Sequence, residues 1–312
     1  MLRKFNDLIM PIIVVAGSSS TDMVIKADHL PSPGETIIGN TFFMNPGGKG
    51  ANQAVAAARL GGNVIFIAKT GNDVFGRQSV QIFEEEGINT DYIIEDAKNP
   101  SGVAMITVDK NAENCIVVAL GANGTMVPND LTKSVKIIEE ATIVLMQLEI
   151  PLQTVEYIAS IAASHGAKVL LNPAPALELP DSLLKNLFII TPNRKEAEML
   201  TGIEVKDIET AKEAARIIKK RGVENVIVTL GSEGAIVIND TIIAHVQTIA
   251  VNAVDTTAAG DVFNGALAVA IAEGKDILTA TAYACKAAAF SVTKMGSQSS
   301  APRKVEVESF VK

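Results

Sequence analysis

The chain has no tryptophan, two cysteines and three histidines in 312 residues. Cys115 and Cys285 stand far apart and show no metal-ligand spacing, which excludes the disulfide framework of a small secreted domain. His29, His165 and His245 are scattered, add no zinc motif, and read as surface or loop residues. Basic charge is also short. Lys and Arg number 27 against 35 Asp and Glu, for a net charge of −8, and that balance argues against nucleic acid or a membrane surface as a partner. What is present is a chain 48% hydrophobic and 20% charged, enough for a large core and poor in the features of disorder. The length allows two average domains or one large α/β domain with an appendage, and a cytoplasmic protein is the expectation.

Short apolar runs alternate with helical patterns along most of the sequence. Val64–Ala68, Ile143–Gln147, Lys168–Asn172, Phe188–Thr191 and Val226–Leu230 read as buried strands. Gly50–Leu60, Phe75–Glu86 and Leu152–His165 read as helices closed by Gly61, Gly87 and Gly166, the third opened by Pro151 in its first turn. This alternation predicts a parallel sheet with helices on both faces and ligands at the carboxyl ends of the strands. Two stretches break the pattern. Residues 21–45 show little helical periodicity, and Gly102–Val108 with Cys115–Leu120 reads as a hairpin around Asp109–Glu113. Together they predict a small second sheet over about 20–45 and 101–120, whose apolar residues need a partner surface. At the start, Arg3 and Lys4 precede an apolar stretch in the outline of a short signal peptide. Asn6 and Asp7 interrupt it, and Ile12–Ala16 followed by Gly17-Ser18 reads equally well as a first buried strand and its turn.

The most informative stretch is Val254-Asp255-Thr256-Thr257-Ala258-Ala259-Gly260-Asp261, which runs into the apolar helical segment Val262–Val269. Ala258, Ala259 and Gly260 carry little or no side chain and sit where a helix begins, with free N–H groups and the positive end of the helix dipole. That is a recipe for holding a phosphate. Asp261 brings negative charge to the same place, as suits a carboxylate that takes a proton from the group attacking the phosphate. A second motif, Asn45-Pro46-Gly47-Gly48-Lys49-Gly50-Ala51-Asn52-Gln53, puts glycines ahead of a helix. It is not a Walker loop, nor is Gly71–Ser79, which reads as a turn with a helix cap, and no G-x-G-x-x-G follows a strand.

These two stretches resemble the C-terminal and N-terminal signatures of the ribokinase-like (PfkB) carbohydrate kinases. Leu145–Glu149, Leu171–Ala176 and Thr191–Glu198 are similar to the same family, and the resemblance runs from about Ile12 to about Pro302. It implies a three-layer α/β sandwich with a mainly parallel central sheet and a small β-sheet lid, in one domain over 9–312 after an extension at 1–8. Ile12–Ala16 is then a strand. The activity implied is ATP-dependent phosphorylation of D-ribose at O5, with Asp261 as the general base, kept an ionised, weak base by the helix N-terminus. Ala258, Ala259 and Gly260 would form the anion hole.

The same resemblance implies a sugar clamp of Ser20, Thr21, Asp22, Gly48, Lys49, Gly50, Ala51, Asn52, Glu149 and Asp261. For the nucleotide it implies Asn193 and Glu196, an N-x-x-E motif supporting the phosphates and the Mg²⁺ water shell, and Thr229, Leu230, Gly231, Ser232, Glu233 and Gly234. A K⁺ site would use Asp255, Thr257, Ser291, Lys294, Gly296 and Ser300, and the lid would supply a homodimer contact. Two positions depart from the family pattern. Ser20 stands where Asn is common, and Cys285 where Asn or His often lies near the adenine; Cys285 is not counted among the site residues. Sister kinases acting on deoxyribose, fructose or adenosine are the nearer alternative, and a non-catalytic sugar or nucleotide sensor the more distant one.

Overall fold

The computed structural model describes residues 10–111 and 113–310; the expected extension at 1–8 lies outside the described residues. The first part of the chain runs β1 (Ile12–Ala16), β2 (Ser20–Lys26), β3 (Thr41–Gly47), α1 (Lys49–Arg59), β4 (Asn63–Gly71), α2 (Val74–Glu85) and β5 (Ile93–Asp96). It continues with β6 (Gly102–Val108), β7 (Asn114–Ala119), α3 (Val135–Glu139), β8 (Ile143–Met146), α4 (Leu152–Ser164), β9 (Lys168–Leu171) and α5 (Asp181–Leu184). The last part is β10 (Ile189–Ile190), α6 (Arg194–Thr201), α7 (Ile208–Lys220), β11 (Asn225–Thr229), β12 (Ala235–Ile238), β13 (Ile243–Val246), α8 (Ala259–Ala272), α9 (Ile277–Ser291) and α10 (Lys304–Ser309).

Nine strands form the main sheet in the order β13-β12-β11-β10-β9-β8-β1-β4-β5. Pairing is parallel from β11 to β5 and antiparallel at β12 and β13. Strand β1 shows why its sequence is apolar without alternation. Val14 and Ala16 face one core, with the helices from α3 to α7, while Ile13 and Val15 face the other, with α1, α8 and α9. A central parallel strand is buried on both sides. The three helices expected from periodicity each end at a glycine in the left-handed region: Gly61, Gly87 and Gly166 at φ 92°, 75° and 84°. Pro151 stands one residue earlier than expected, at the N-cap of α4.

The second sheet has the order β3-β2-β6-β7. The expected hairpin is present as β6 and β7, Val103 opposite Ala119, and the aperiodic stretch 21–45 holds β2 and β3, which pair antiparallel. Strand β2 leaves the main sheet just after β1, so this sheet overhangs the carboxyl edge where ligands gather. One packing detail sets the position of the site. A Cβ on Gly265 of α8 would fall 2.8 Å from the Gln53 carbonyl oxygen and the Ala56 methyl of α1. Glycine there lets α1 and α8 cross closely, which brings Asn52 and Gln53 against Asp261, one turn before Gly265.

Candidate active site

The motif expected to clamp the sugar is built where the first turn of α1 lies on the turn after β1. A Cβ on Gly50 would sit 2.5 Å from the Ser18 nitrogen, so only glycine permits this approach. The Ala51 N–H donates to the Ser18 carbonyl (2.8 Å) and the Gly50 N–H to Ser18 Oγ (3.3 Å). Ser18 Oγ in turn donates to Glu149 Oε2 (2.5 Å), which also accepts the Lys49 N–H (2.9 Å). Glu149, just beyond β8, therefore caps a helix whose own N-cap residue, Gly48, makes no side-chain bond. Gly50 and Ala51, expected in the sugar clamp, spend their N–H groups on this junction. Strand alternation puts Ser20 and Asp22 on one face of β2 and Thr21 on the other.

Asp261 lies in the first turn of α8 and is 6% exposed. Asn52 Nδ2 donates to its Oδ2 (3.0 Å) and Gln53 Nε2 to its Oδ1 (2.9 Å). Burial pushes the carboxyl above its ordinary value, opposed by Lys49 and by the two amide donors. The helix N-terminus favours the ionised form, and burial opposes it. Ala258, the N-cap of α8, has φ 58° and is the one non-glycine residue with positive φ among the described residues. An alanine in this region costs about 1–2 kcal/mol, and such strain concentrates at functional sites.

Lys49 is ringed by carboxylates. Burial alone would lower its pKa, but Asp261, Glu149, Glu196 and Asp22 together hold it above its ordinary value. Asp22 is pushed up to about 6, by burial first, with a long Ser20 hydrogen bond (3.4 Å) opposing and the Glu149 charge adding. Its folded pKa exceeds the reference value of 3.8. The stability its neutral form contributes is therefore full below about 3.8 and lost as pH rises through about 6. Asp22→Asn is expected to raise the Tm at pH 8 by about 2–4 °C, near 1 kcal/mol, while sugar turnover falls. Thermal melts at pH 8 and pH 5 check this; the gain should shrink at pH 5, and a lower Tm at pH 8 would refute it.

The residues expected on the nucleotide side meet at the carboxyl ends of β10 and β11. Asn193 and Glu196 bond first to each other, as a capping box on α6. Asn193 Oδ1 accepts the Glu196 N–H (2.9 Å), and Glu196 Oε2 accepts the Asn193 N–H (2.8 Å). Glu196 is pushed up to about 7, by burial first, against the Asn193 N–H and Lys49. Beside them lies a pocket of about 340 Å³ between the turn after β11, the N-terminus of α8 and α9. Thr229, Gly231, Ser232 and Gly234 line it, with Ala259 and Gly260. A Cβ on Gly260 would meet open space. Leu230 and Glu233 do not line it: Leu230 is buried in the core, and Glu233 turns to pair with Arg194. The pocket's walls also include Ile249, Val251, Phe263, Ala288 and Cys285. Sequence reasoning missed most of these because apolar residues carry no motif. Cys285, not among the expected site residues, lines the pocket, with its thiol pushed up to about 12 by burial.

The residues expected around a monovalent cation come from two loops joined by one carboxylate. Asp255 Oδ1 accepts the N–H (2.9 Å) and hydroxyl (2.6 Å) of Thr257, and Oδ2 accepts the Gly296 N–H (2.8 Å). Ser291, at the end of α9, and Ser300 are buried. The Lys294 ammonium points to Glu306 (2.8 Å), so only its backbone could serve such a site.

A model of the pfkB family carbohydrate kinases matches residues 10–304. The chain is 44% identical over 299 residues to the ribokinase of Haemophilus influenzae, covering 96% of this chain and 98% of that protein. It is 40% identical over 291 residues to the deoxyribokinase of Salmonella typhi, covering 93% and 95%. Among solved structures, Arabidopsis thaliana ribokinase complexed with ribose and ATP matches with a TM-score of 0.91 at 32% identity, covering 96% of this chain and 97% of that one.

Proposed function

The chain belongs to the pfkB family of carbohydrate kinases, and from that premise we propose that it transfers the terminal phosphoryl group of ATP to O5 of D-ribose, giving D-ribose 5-phosphate and ADP. The observation that carries this reading is the buried Asp261 carboxylate at the start of α8, with the clamp residues on one side and the pocket on the other. A sugar bound beneath the small sheet would meet Asp22, Lys49, Asn52 and Glu149, with Ser20 beside Asp22. Its 5-hydroxyl would lie at Asp261, which takes the proton as the new O–P bond forms. The bond from the γ-phosphorus to the bridging oxygen breaks, and its electron pair leaves on ADP. The first-turn N–H groups of α8 would stabilise charge on the phosphoryl group in transfer.

Mg²⁺, when bound, neutralises charge on the phosphates. Among the described residues no three His, Cys, Asp or Glu side chains could hold a metal ion. Its ligands would be phosphate oxygens and water, with Asn193 and Glu196 facing that shell. The loops joined by Asp255 offer carbonyl and hydroxyl oxygens around one carboxylate, which suits a large, weakly hydrated cation such as K⁺. Ordering these loops would order Ala258–Gly260. Homodimerisation belongs to the same proposal. Met44, Met105, Ile116, Val117 and Val118 of the small sheet are about half exposed or more, and a second copy is the fitting cover. A cytoplasmic location accompanies an ATP donor, and no helix among the described residues is long and apolar enough to cross a membrane.

Ser20 favours deoxyribose as the second reading, since its short side chain is turned to Asp22 and the chain is 40% identical to a deoxyribokinase. Coupled ADP release with ribose, deoxyribose, fructose and adenosine, each with and without K⁺, separates the readings. Ribose is expected to give the highest kcat/KM, with activation by K⁺ that Asp255→Ala abolishes. Preference for deoxyribose would keep the mechanism and change the substrate. No turnover on any of the four would favour a sensor.

A further inference from the structure

Behind Asp261 lies a row of buried amides that the phosphoryl-transfer reading does not use. Gln53 and Gln147 are both 0% exposed. Gln53 Nε2 donates to Asp261 Oδ1 (2.9 Å) and to Asn172 Oδ1 (3.1 Å), and Gln53 Oε1 accepts from Gln147 Nε2 (2.6 Å). Gln147 Oε1 is buried with no partner among the described residues. It lies where a Cβ on Gly17 would come within 2.1 Å.

We propose that Gln147 and Gln53 are positioning residues for Asp261: Gln147 fixes the orientation of the Gln53 amide, and that amide fixes the carboxylate. This rests on the reading of Asp261 as the base. An ionised carboxylate only accepts hydrogen bonds, so Gln53 has to present its NH₂ group to Asp261, which leaves its oxygen facing Gln147. Gln147 has to donate in turn. Its own oxygen goes unpaired, a cost that a purely structural residue in a dry core would shed by becoming apolar. Gly17 leaves room for that oxygen. The device thus joins the residues just after β1 and β8 to α1 and α8, and acts on the one group that handles the proton.

Asp261 also faces Lys49 from α1, Glu149 from beyond β8, Asp22 from β2 and Glu196 from α6. The test therefore compares each variant with the parent in the same buffers. Gln53→Met and Gln147→Met keep the side-chain volume and remove the amides. A donor on the ionised form lowers a carboxyl pKa, so its loss raises it. The acidic limb of the kcat/KM–pH profile is expected to move up by about one pH unit in Gln53→Met. In Gln147→Met it should move the same way and less. kcat should fall about ten-fold or more in Gln53→Met, with ribose KM within about three-fold. Should Gln53→Met fail to fold, Gln147→Met carries the same test. A lowered Tm with the acidic limb unmoved would overturn the proposal and leave only a packing role. Near-normal turnover in Asp261→Asn would instead remove the reading on which it rests.

Discussion

Asp261→Asn is expected to lower kcat by about 10²–10⁴-fold while ribose affinity stays within about three-fold. The substitution keeps the shape of the side chain and the contact with one of its two amide partners, Asn52 Nδ2 or Gln53 Nε2. What it removes is the ability to take a proton. Because burial holds the carboxyl above its ordinary value, the neutral variant is also expected to melt no lower than the parent. Single-turnover kinetics with calorimetric ribose binding separate the two effects. A variant that turns over at near the parent rate would remove Asp261 from the chemistry.

Gly50→Ala is expected to lower kcat/KM by about 100-fold or more, acting through both kcat and KM, and to lower Tm. The added Cβ would lie 2.5 Å from the Ser18 nitrogen, 2.6 Å from the Gly17 carbonyl carbon and 2.7 Å from the Ser18 oxygen. All three are backbone atoms and none can swing aside, so α1 has to move. That helix carries Lys49, Asn52 and Gln53, and a shift of about 1 Å in a positioning element can cost 10²-fold in rate. Gly260→Ala is the informative contrast. Its Cβ meets open space within the protein, so Tm should hold while KM for ATP rises, since the methyl group enters the pocket. Equal losses of Tm in the two variants would contradict this division.

Periodicity carried most of the fold. The strand–helix alternation and the three glycine-closed helices follow from local chemistry, and the structure has them within a residue or so, except that β4 runs three residues further, to Gly71. The small sheet was legible in outline because a stretch without helical period beside a hairpin has few other uses. The site was legible only where small residues and charges sit at a helix start, as at Gly47–Asn52 and Ala258–Asp261. Other parts depend on which side chains the fold brings together. Glu149 capping α1 across 100 residues of sequence, the amides of Gln53 and Gln147, and the apolar walls of the pocket leave no local signal. Leu230 and Glu233, which do not line the pocket, show the converse. A motif names a segment, but packing and side-chain pairing decide which of its residues face a pocket.

The most direct test is the identity of the product. Purified protein would be incubated with ATP, Mg²⁺, K⁺ and ¹³C-labelled D-ribose, and the sugar followed by ¹³C and ³¹P NMR. The account predicts stoichiometric ADP and a single phosphate ester whose phosphorus couples to C5 of ribose. ADP formed with unmodified ribose, or phosphate found on another carbon, would contradict it.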